Sequence, residues 1–222
     1  TRQTRQMPHE DMEIVSFDGL KLRGKYYEYT PDAPIELMFH GYRGDSERDL
    51  SGGVQRCFKL GHSALLIDHR GAGFSDGNVI TFGILEKRDC LAWVDFAVRE
   101  FGEDAKLILT GISMGGYGTW NLLMNHPDMF CAAVAMCGAA DPSQAATLVD
   151  IPVWAIHGVK DPTVPVSGSQ EITVTLKDGK LAQYEYTTVL QGKVKNGLKS
   201  ESFSLVLSGT FVPEIVSDQK EA

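Results

Sequence analysis

The sequence predicts an α/β fold, a mostly parallel sheet with helices on both faces. Three observations carry this. Short apolar runs alternate with helical patterns from residue 35 to about residue 176. The runs are predominantly apolar rather than apolar at every second residue, as in strands buried on both faces. An Asp-Gly pair between two earlier strand-like segments places an antiparallel hairpin ahead of the parallel part.

Taken in chain order, Glu13–Phe17 and Leu20–Tyr29 flank Asp18-Gly19 and form that hairpin. Ile35–Phe39, Ala64–Ile67, Leu107–Leu109, Ala132–Met136 and Val153–Ile156 are the buried strands. The clearest helix covers residues 82–101, where Ile84, Leu91 and Val98 mark one stripe and Val94, Ala97 and Phe101 widen it. Gly102 is its stop signal. Residues 114–126 and 166–176 are two further predicted helices. Strands alternating with helices in this way require right-handed crossovers, hence parallel neighbours. Beyond residue 176 the pattern changes. Ala182–Val189 reads as one more strand, and Ser202–Leu207 alternates polar and apolar residues as a half-buried strand does.

The 222 residues fit a single domain over 1–222, with a flexible polar N-terminus over 1–11 and an atypical C-terminal segment over 177–222. The formal net charge is −8, and residues 177–222 contribute none of it, since their basic and acidic groups balance. An acidic balance argues against nucleic-acid or anionic-membrane partners. No apolar stretch approaches the length of a transmembrane helix. Cys57, Cys90, Cys131 and Cys137 lack ligand spacing, which predicts free thiols and no metal site. With no apolar signal core near residue 1, the expected location is cytoplasmic.

The chemistry concentrates in four places. Gly111-Ile112-Ser113-Met114-Gly115 fits G-x-S-x-G, and it lies between the apolar run Lys106–Thr110 and the helical stretch Gly116–Asn125. That strand–turn–helix context is what a nucleophile elbow requires. Ser113 is therefore the candidate nucleophile, with the Met114 N–H at the helix start available to a developing oxyanion. His40-Gly41-Tyr42 follows the strand Ile35–Phe39, which makes the Tyr42 N–H the second candidate donor. His40 itself reads as a loop anchor, and Asp68-His69-Arg70-Gly71 as a turn near the site. The fourth place is His157-Gly158-Val159-Lys160-Asp161-Pro162, after the strand Val153–Ile156.

Together GISMGGYG, HGYRG, DHRGAGFSDG and HGVKDPTVPV resemble the α/β-hydrolase superfamily, specifically its small capless serine esterases, over about residues 12–176. The resemblance implies an α/β-hydrolase fold and hydrolysis of a small-molecule carboxylic ester, short-chain or aryl, without cofactor or metal. It assigns the acid of a Ser-His-Asp triad to Asp161, with Asp141 in reserve. Only about a dozen residues, Ala139–Asp150, occupy the place where caps are inserted, so none is expected. At finer grain the likeness divides. Up to about Ser113 the chain is similar to peptidase-like and lipase-like hydrolases, and from Ser113 to about 176 to feruloyl esterases and polyester depolymerases, which raises the expectation of a recombined or engineered chimera.

One member of the triad is absent. The family order is Ser, Asp, His, yet no histidine follows His157. The family pattern puts the base near Gln191–Lys193, and neither side chain is a neutral-pH proton acceptor. His157 stands close to Asp161 in sequence, but its position in the family does no proton transfer. His126 lies at the far end of the helix that begins at Ser113, about 18 Å away at 1.5 Å per residue. His62 and His69 occupy turns. Losing the base of such a triad costs about 10⁶ in turnover and leaves about 10³–10⁴ over water. The expectation is an impaired serine hydrolase. The alternatives are a hydrolase-like binding protein with a vestigial site, or a chain whose last segment is foreign to the fold.

Overall fold

The computed structural model describes residues 4–148, 150–158, 160–164, 176–177, 180–181, 184–196 and 199–211. An antiparallel hairpin comes first, β1 (Glu10–Val15) with β2 (Lys21–Tyr27), in the register Glu13↔Arg23. Its turn closes where Ser16 N–H donates to the Leu20 carbonyl, 2.8 Å, and Gly19 takes φ 87°. Five parallel strands follow: β3 (Ile35–Phe39), β4 (Ser63–Ile67), β5 (Leu107–Ile112), β6 (Ala132–Met136) and β7 (Val153–Gly158). Two very short strands, β8 (Leu176–Lys177) and β9 (Lys180–Leu181), pair only with each other. The long strands β10 (Tyr184–Asn196) and β11 (Lys199–Phe211) close the main sheet. Its spatial order is β1-β2-β4-β3-β5-β6-β7-β11-β10.

Among the described residues the α-helices are α1 (Ser51–Lys59), α2 (Glu86–Phe101) and α3 (Met114–Asn125). They cover both faces because β3 is apolar in both directions. Ile35, Leu37 and Phe39 pack with Trp93 and Val94 of α2 and Trp120 and Leu123 of α3. Met38 points the other way, onto Val54 and Cys57 of α1. The protein thus has the α/β-hydrolase architecture, and no cap interrupts the described strands. The segment between β6 and β7 holds only a short 3-10 turn, Pro142–Leu148.

Several elements differ from the sequence expectation. The helix predicted over 82–101 begins at Glu86, because the Glu86 carboxylate binds the backbone N–H groups of Thr81 (2.7 Å) and Gly83 (2.8 Å) in a loop of its own. It ends as expected, with Gly102 at φ 106°. Helix α1 carries no clear signal in the sequence, since Gly52 and Gly53 weaken any helical reading. Gly53 is there for packing: a Cβ at that position would run into the end of the Met38 side chain. The helix predicted over 166–176 falls on residues outside the described ones, apart from Leu176, which is in β8.

The last two strands end the parallel pattern. β11 runs antiparallel to β7 with Leu205 opposite Gly158 and His157 opposite Val206. β10 runs antiparallel to β11 with Gln191 opposite Ser204. Gln191 and Lys193 are therefore in a strand, two strands from β7, rather than in a loop after it. At the other terminus Glu10 and Asp11 are already in β1, and the buried Thr4 hydroxyl donates to the Ser51 carbonyl, 2.8 Å. Among the described residues no helix is long and apolar enough to cross a membrane.

Candidate active site

Ser113 stands between the end of β5 and the start of α3 with φ 55° and ψ −115°. A non-glycine residue at such angles is strained by about 1–3 kcal/mol and persists only where its surroundings impose it. Here they do. Ser113 N–H donates to the Met136 carbonyl of β6, 2.8 Å, and its own carbonyl accepts from Tyr117 N–H, 3.0 Å. The turn is so tight that a Cβ at Gly111 would collide with the Gly115 carbonyl, and one at Gly115 with the Phe39 carbonyl of β3. Those are the two glycines of the G-x-S-x-G signature. Since Tyr117 makes the first internal bond of α3, the Met114 N–H precedes the helical ladder and has no partner within it.

Gly41 brings the second loop to the same point. A Cβ on it would lie 3.2 Å from the Ser113 Cβ, so the chain passes against the serine with no side chain between. The loop is fixed from behind. His40 donates from Nδ1 to the Gly41 carbonyl, 2.7 Å, and its Nε2 accepts the His69 N–H, 3.0 Å. Both ring nitrogens are thereby occupied, and burial lowers the His40 pKa, so the ring is a neutral anchor. Tyr42 follows, half exposed, with its ring 4.8 Å from that of Phe82 and the Arg43 guanidinium 5.1 Å from its centre.

Tyr42, Ser113 and Met114 line one cavity of about 700 Å³, with Phe82, Ile84 and Tyr117 at its rim and Trp120 and Met124 along α3. His69 also lines it. Its ring packs on Phe39 and His40, its Nε2 has no hydrogen-bond partner, and burial together with the neighbouring His40 pulls its pKa down to about 3. Such an imidazole is a very weak base. The sequence reading took His69 only as part of a turn, and nothing in the local pattern shows that it faces the cavity of Ser113.

Asp161 does not line the cavity. Its Oδ1 accepts the N–H groups of Thr163 (2.8 Å) and Val164 (2.9 Å), which hold its carboxyl below the usual carboxylate range. Thr163 and Val164 do line the cavity, so Asp161 shapes its wall from behind. His157 is buried beneath the same loop, where its Nε2 donates to the Val164 carbonyl, 2.9 Å, with Asp161 Oδ2 at 3.9 Å. Asp141 does line the cavity, and its carboxylate accepts from Ser143 and from the Gln144 amide. His126 caps the far end of α3. The structure therefore joins Ser113, Met114 and Tyr42, sets Asp161 behind them, and brings only His69 among the six histidines to the cavity wall. Among the described residues there is no group of three or more His, Cys, Asp or Glu side chains that could hold a metal ion.

The family model of the serine aminopeptidases S33 matches residues 33–149, more than half of the chain. The chain belongs to that family. The matched range includes Ser113 and brings the protein within the α/β-hydrolase superfamily. The polyketide transferase ATR5 of Stachybotrys chlorohalonatus is 30% identical over 146 residues, which cover 64% of this chain and 44% of that protein. The chain spans less than half the length of the curated relatives it matches. Among solved structures, the Pyrococcus furiosus esterase Pf2001 superposes with a TM-score of 0.68 at 21% identity, covering 78% of this chain and 79% of the other. Est1E of Butyrivibrio proteoclasticus, solved with ferulic acid bound, gives a TM-score of 0.52 at 27% identity, with 61% of this chain and 51% of that one covered.

Proposed function

We propose that this member of the S33 family hydrolyses small carboxylic esters by attack of Ser113, slowly, because among the described residues no effective base stands beside it. The observation that carries this reading is Ser113 itself, held at φ 55° with Gly41 packed against it and the first N–H of α3 beside it. Strain at a half-buried turn is retained where a side chain has to be presented at one point.

In the reaction Ser113 Oγ attacks the ester carbonyl carbon and passes its proton to a solvent water, which returns a proton to the leaving alcohol. The carbonyl oxygen takes the negative charge between the N–H groups of Tyr42 and Met114. The tetrahedral adduct collapses by expelling the alcohol, which leaves with a proton, and water then cleaves the acyl group from Ser113. Two fixed backbone donors account for a few kcal/mol of this barrier. What they do not supply is proton transfer, since an unassisted serine hydroxyl is a poor nucleophile at pH 7. His40 has both nitrogens engaged, His69 is too weakly basic, and His157 is committed to the Val164 carbonyl. The family resemblance makes Asp161 the triad acid, and in this reading no histidine joins it to Ser113. The apolar cavity beside Ser113 and the ferulic acid held by Est1E support an aryl or short acyl group as the substrate's acid part.

The test is hydrolysis of p-nitrophenyl butyrate by the protein and by its Ser113→Ala variant. A Ser113-dependent rate about 10³–10⁴-fold over water is expected. Equal rates in the two proteins would overturn the reading and favour a binding protein with a vestigial site.

A further inference from the structure

Phe82 combines two properties that rarely meet. It has φ 51°, in the left-handed region that bulky side chains avoid, and it is 68% exposed, so burial does not hold it there. The loop that carries it is built with care. The Glu86 carboxylate, itself buried, accepts Thr81 N–H, the Thr81 hydroxyl (2.6 Å) and Gly83 N–H, one residue on either side of Phe82. Thr81 Oγ1 in turn accepts the Leu85 N–H, 2.9 Å. Burial alone would raise the Glu86 pKa; these hydrogen bonds outweigh it and keep the carboxyl ionised below the usual range. A loop fixed by a charged, hydrogen-bonded side chain is imposing an unfavourable backbone on an exposed aromatic.

The direction of the Phe82 ring supplies the reason. It lies 4.8 Å from the Tyr42 ring at 31°, while Arg43, also at positive φ (56°), sets its guanidinium 5.1 Å from the same ring. The Arg43 carbonyl is held by the Arg48 guanidinium, 2.5 Å. The Gly41 carbonyl, on the other side of the peptide that carries the Tyr42 N–H, is held by His40 Nδ1 (2.7 Å) and Gly44 N–H (3.0 Å), whereas the Tyr42 side chain is 43% exposed. We infer that Phe82 is a positioning residue for the oxyanion loop: His40 and Gly44 hold the Gly41 side of the Gly41–Tyr42 peptide, and Phe82, packed against the Tyr42 ring, holds the Tyr42 side, so that together they keep the Tyr42 N–H directed at Ser113. This rests on the hydrolase reading above for its catalytic consequence, although the fixing of the loop can be measured without it. Offset aromatic pairs contribute about 0.5–1.5 kcal/mol, enough to set the population of one loop conformation by severalfold.

The experiment compares Phe82→Asn and Phe82→Tyr with the wild type. Asparagine tolerates positive φ and relieves the strain, while tyrosine keeps the stack. Phe82→Asn is expected to melt at the wild-type temperature or above it, yet to lower the ¹⁵N order parameter of the Tyr42 amide from the rigid range, about 0.85, toward 0.6. Phe82→Tyr is expected to retain both values. The Ser113-dependent rate on p-nitrophenyl butyrate should fall about tenfold in kcat with KM little changed in Phe82→Asn, and recover in Phe82→Tyr. An unchanged Tyr42 order parameter in Phe82→Asn would overturn the inference, and so would a loosened amide with kcat unaltered. Should the wild type show no Ser113-dependent rate at all, the hydrolase reading falls, and the amide measurement still decides whether Phe82 fixes the loop.

Discussion

The Nε2 of His40 accepts the backbone N–H of His69 at 3.0 Å, so the loop that follows β3 is tied to the loop that follows β4 through one neutral imidazole. The same ring donates to the Gly41 carbonyl, which places it directly behind the residue that packs on Ser113. His40→Ala should therefore cost about 1–3 kcal/mol of stability, because it takes away the acceptor of the buried His69 N–H and one of the two donors to the Gly41 carbonyl. It should also lower any Ser113-dependent rate. Urea unfolding and ester hydrolysis check the two effects, and a variant as stable as wild type contradicts the anchoring role.

The pH dependence of stability follows from the same pair. Burial depresses the pKa of His40, and takes that of His69 to about 3. A group whose folded pKa lies below its unfolded value stabilises the fold above the unfolded pKa and loses that contribution as pH falls. The unfolded value is about 6.5, so stability should decline from there toward the folded values, by up to about 1.4 kcal/mol per pH unit for each histidine. Urea midpoints at pH 7.5, 6 and 5 measure the slope, and His69→Phe should flatten it. A profile level from pH 7.5 to pH 5 contradicts this.

On the opposite face of the sheet, the buried carboxylate of Glu36 in β3 is surrounded by the Arg56 guanidinium, the Thr110 hydroxyl and the Cys57 thiol (3.0 Å). Burial raises its pKa, and Arg56 first among these partners more than reverses the shift. Arg56→Ala removes the countercharge and should destabilise the fold by about 3 kcal/mol, because an unpaired buried charge is left behind. A change in unfolding free energy below about 0.5 kcal/mol, the size seen for an ordinary surface substitution, contradicts it.

Ser113 and its glycines separate strain from chemistry. Ser113→Gly relieves φ 55°, whereas Ser113→Ala retains it. The glycine variant should be the more stable of the two by about 1 kcal/mol, within the range expected for a left-handed non-glycine residue. Both should lack Ser113-dependent hydrolysis. Thermal unfolding of the pair checks this, and a glycine variant less stable than the alanine one contradicts the strain.

Much of this was legible in the residues. Ile35–Phe39 or Ala132–Met136 can be read as buried strands because a strand covered on both faces is mostly apolar on both, with Glu36 the one charged residue of β3, a pattern that survives without any knowledge of its neighbours. Ser113 was legible because the elbow is a local geometry with local glycine requirements. Helix α1 was not, since Gly52 and Gly53 answer to Met38 across the core rather than to helix propensity. Nor was the start of α2, where Glu86 captures the amides that would have continued the helix. Phe82 and His69 are significant only through partners far away in sequence, Tyr42 and Ser113's cavity, and single-sequence periodicity carries no such information. The antiparallel placement of β11 on β7 likewise depends on pairing across the sheet, not on the alternation within Ser202–Leu207.

The central claim is a serine poised in an oxyanion site without a base, and chemical rescue tests it most directly. The rate of p-nitrophenyl butyrate hydrolysis is measured at pH 7.5 against added imidazole, with the Ser113→Ala rate subtracted at each concentration. The expected result is a small difference without imidazole that rises in proportion to its concentration, as a diffusible base takes the role of the missing histidine. A difference already at ordinary enzyme turnover and indifferent to imidazole would contradict it, by showing that a base is present after all.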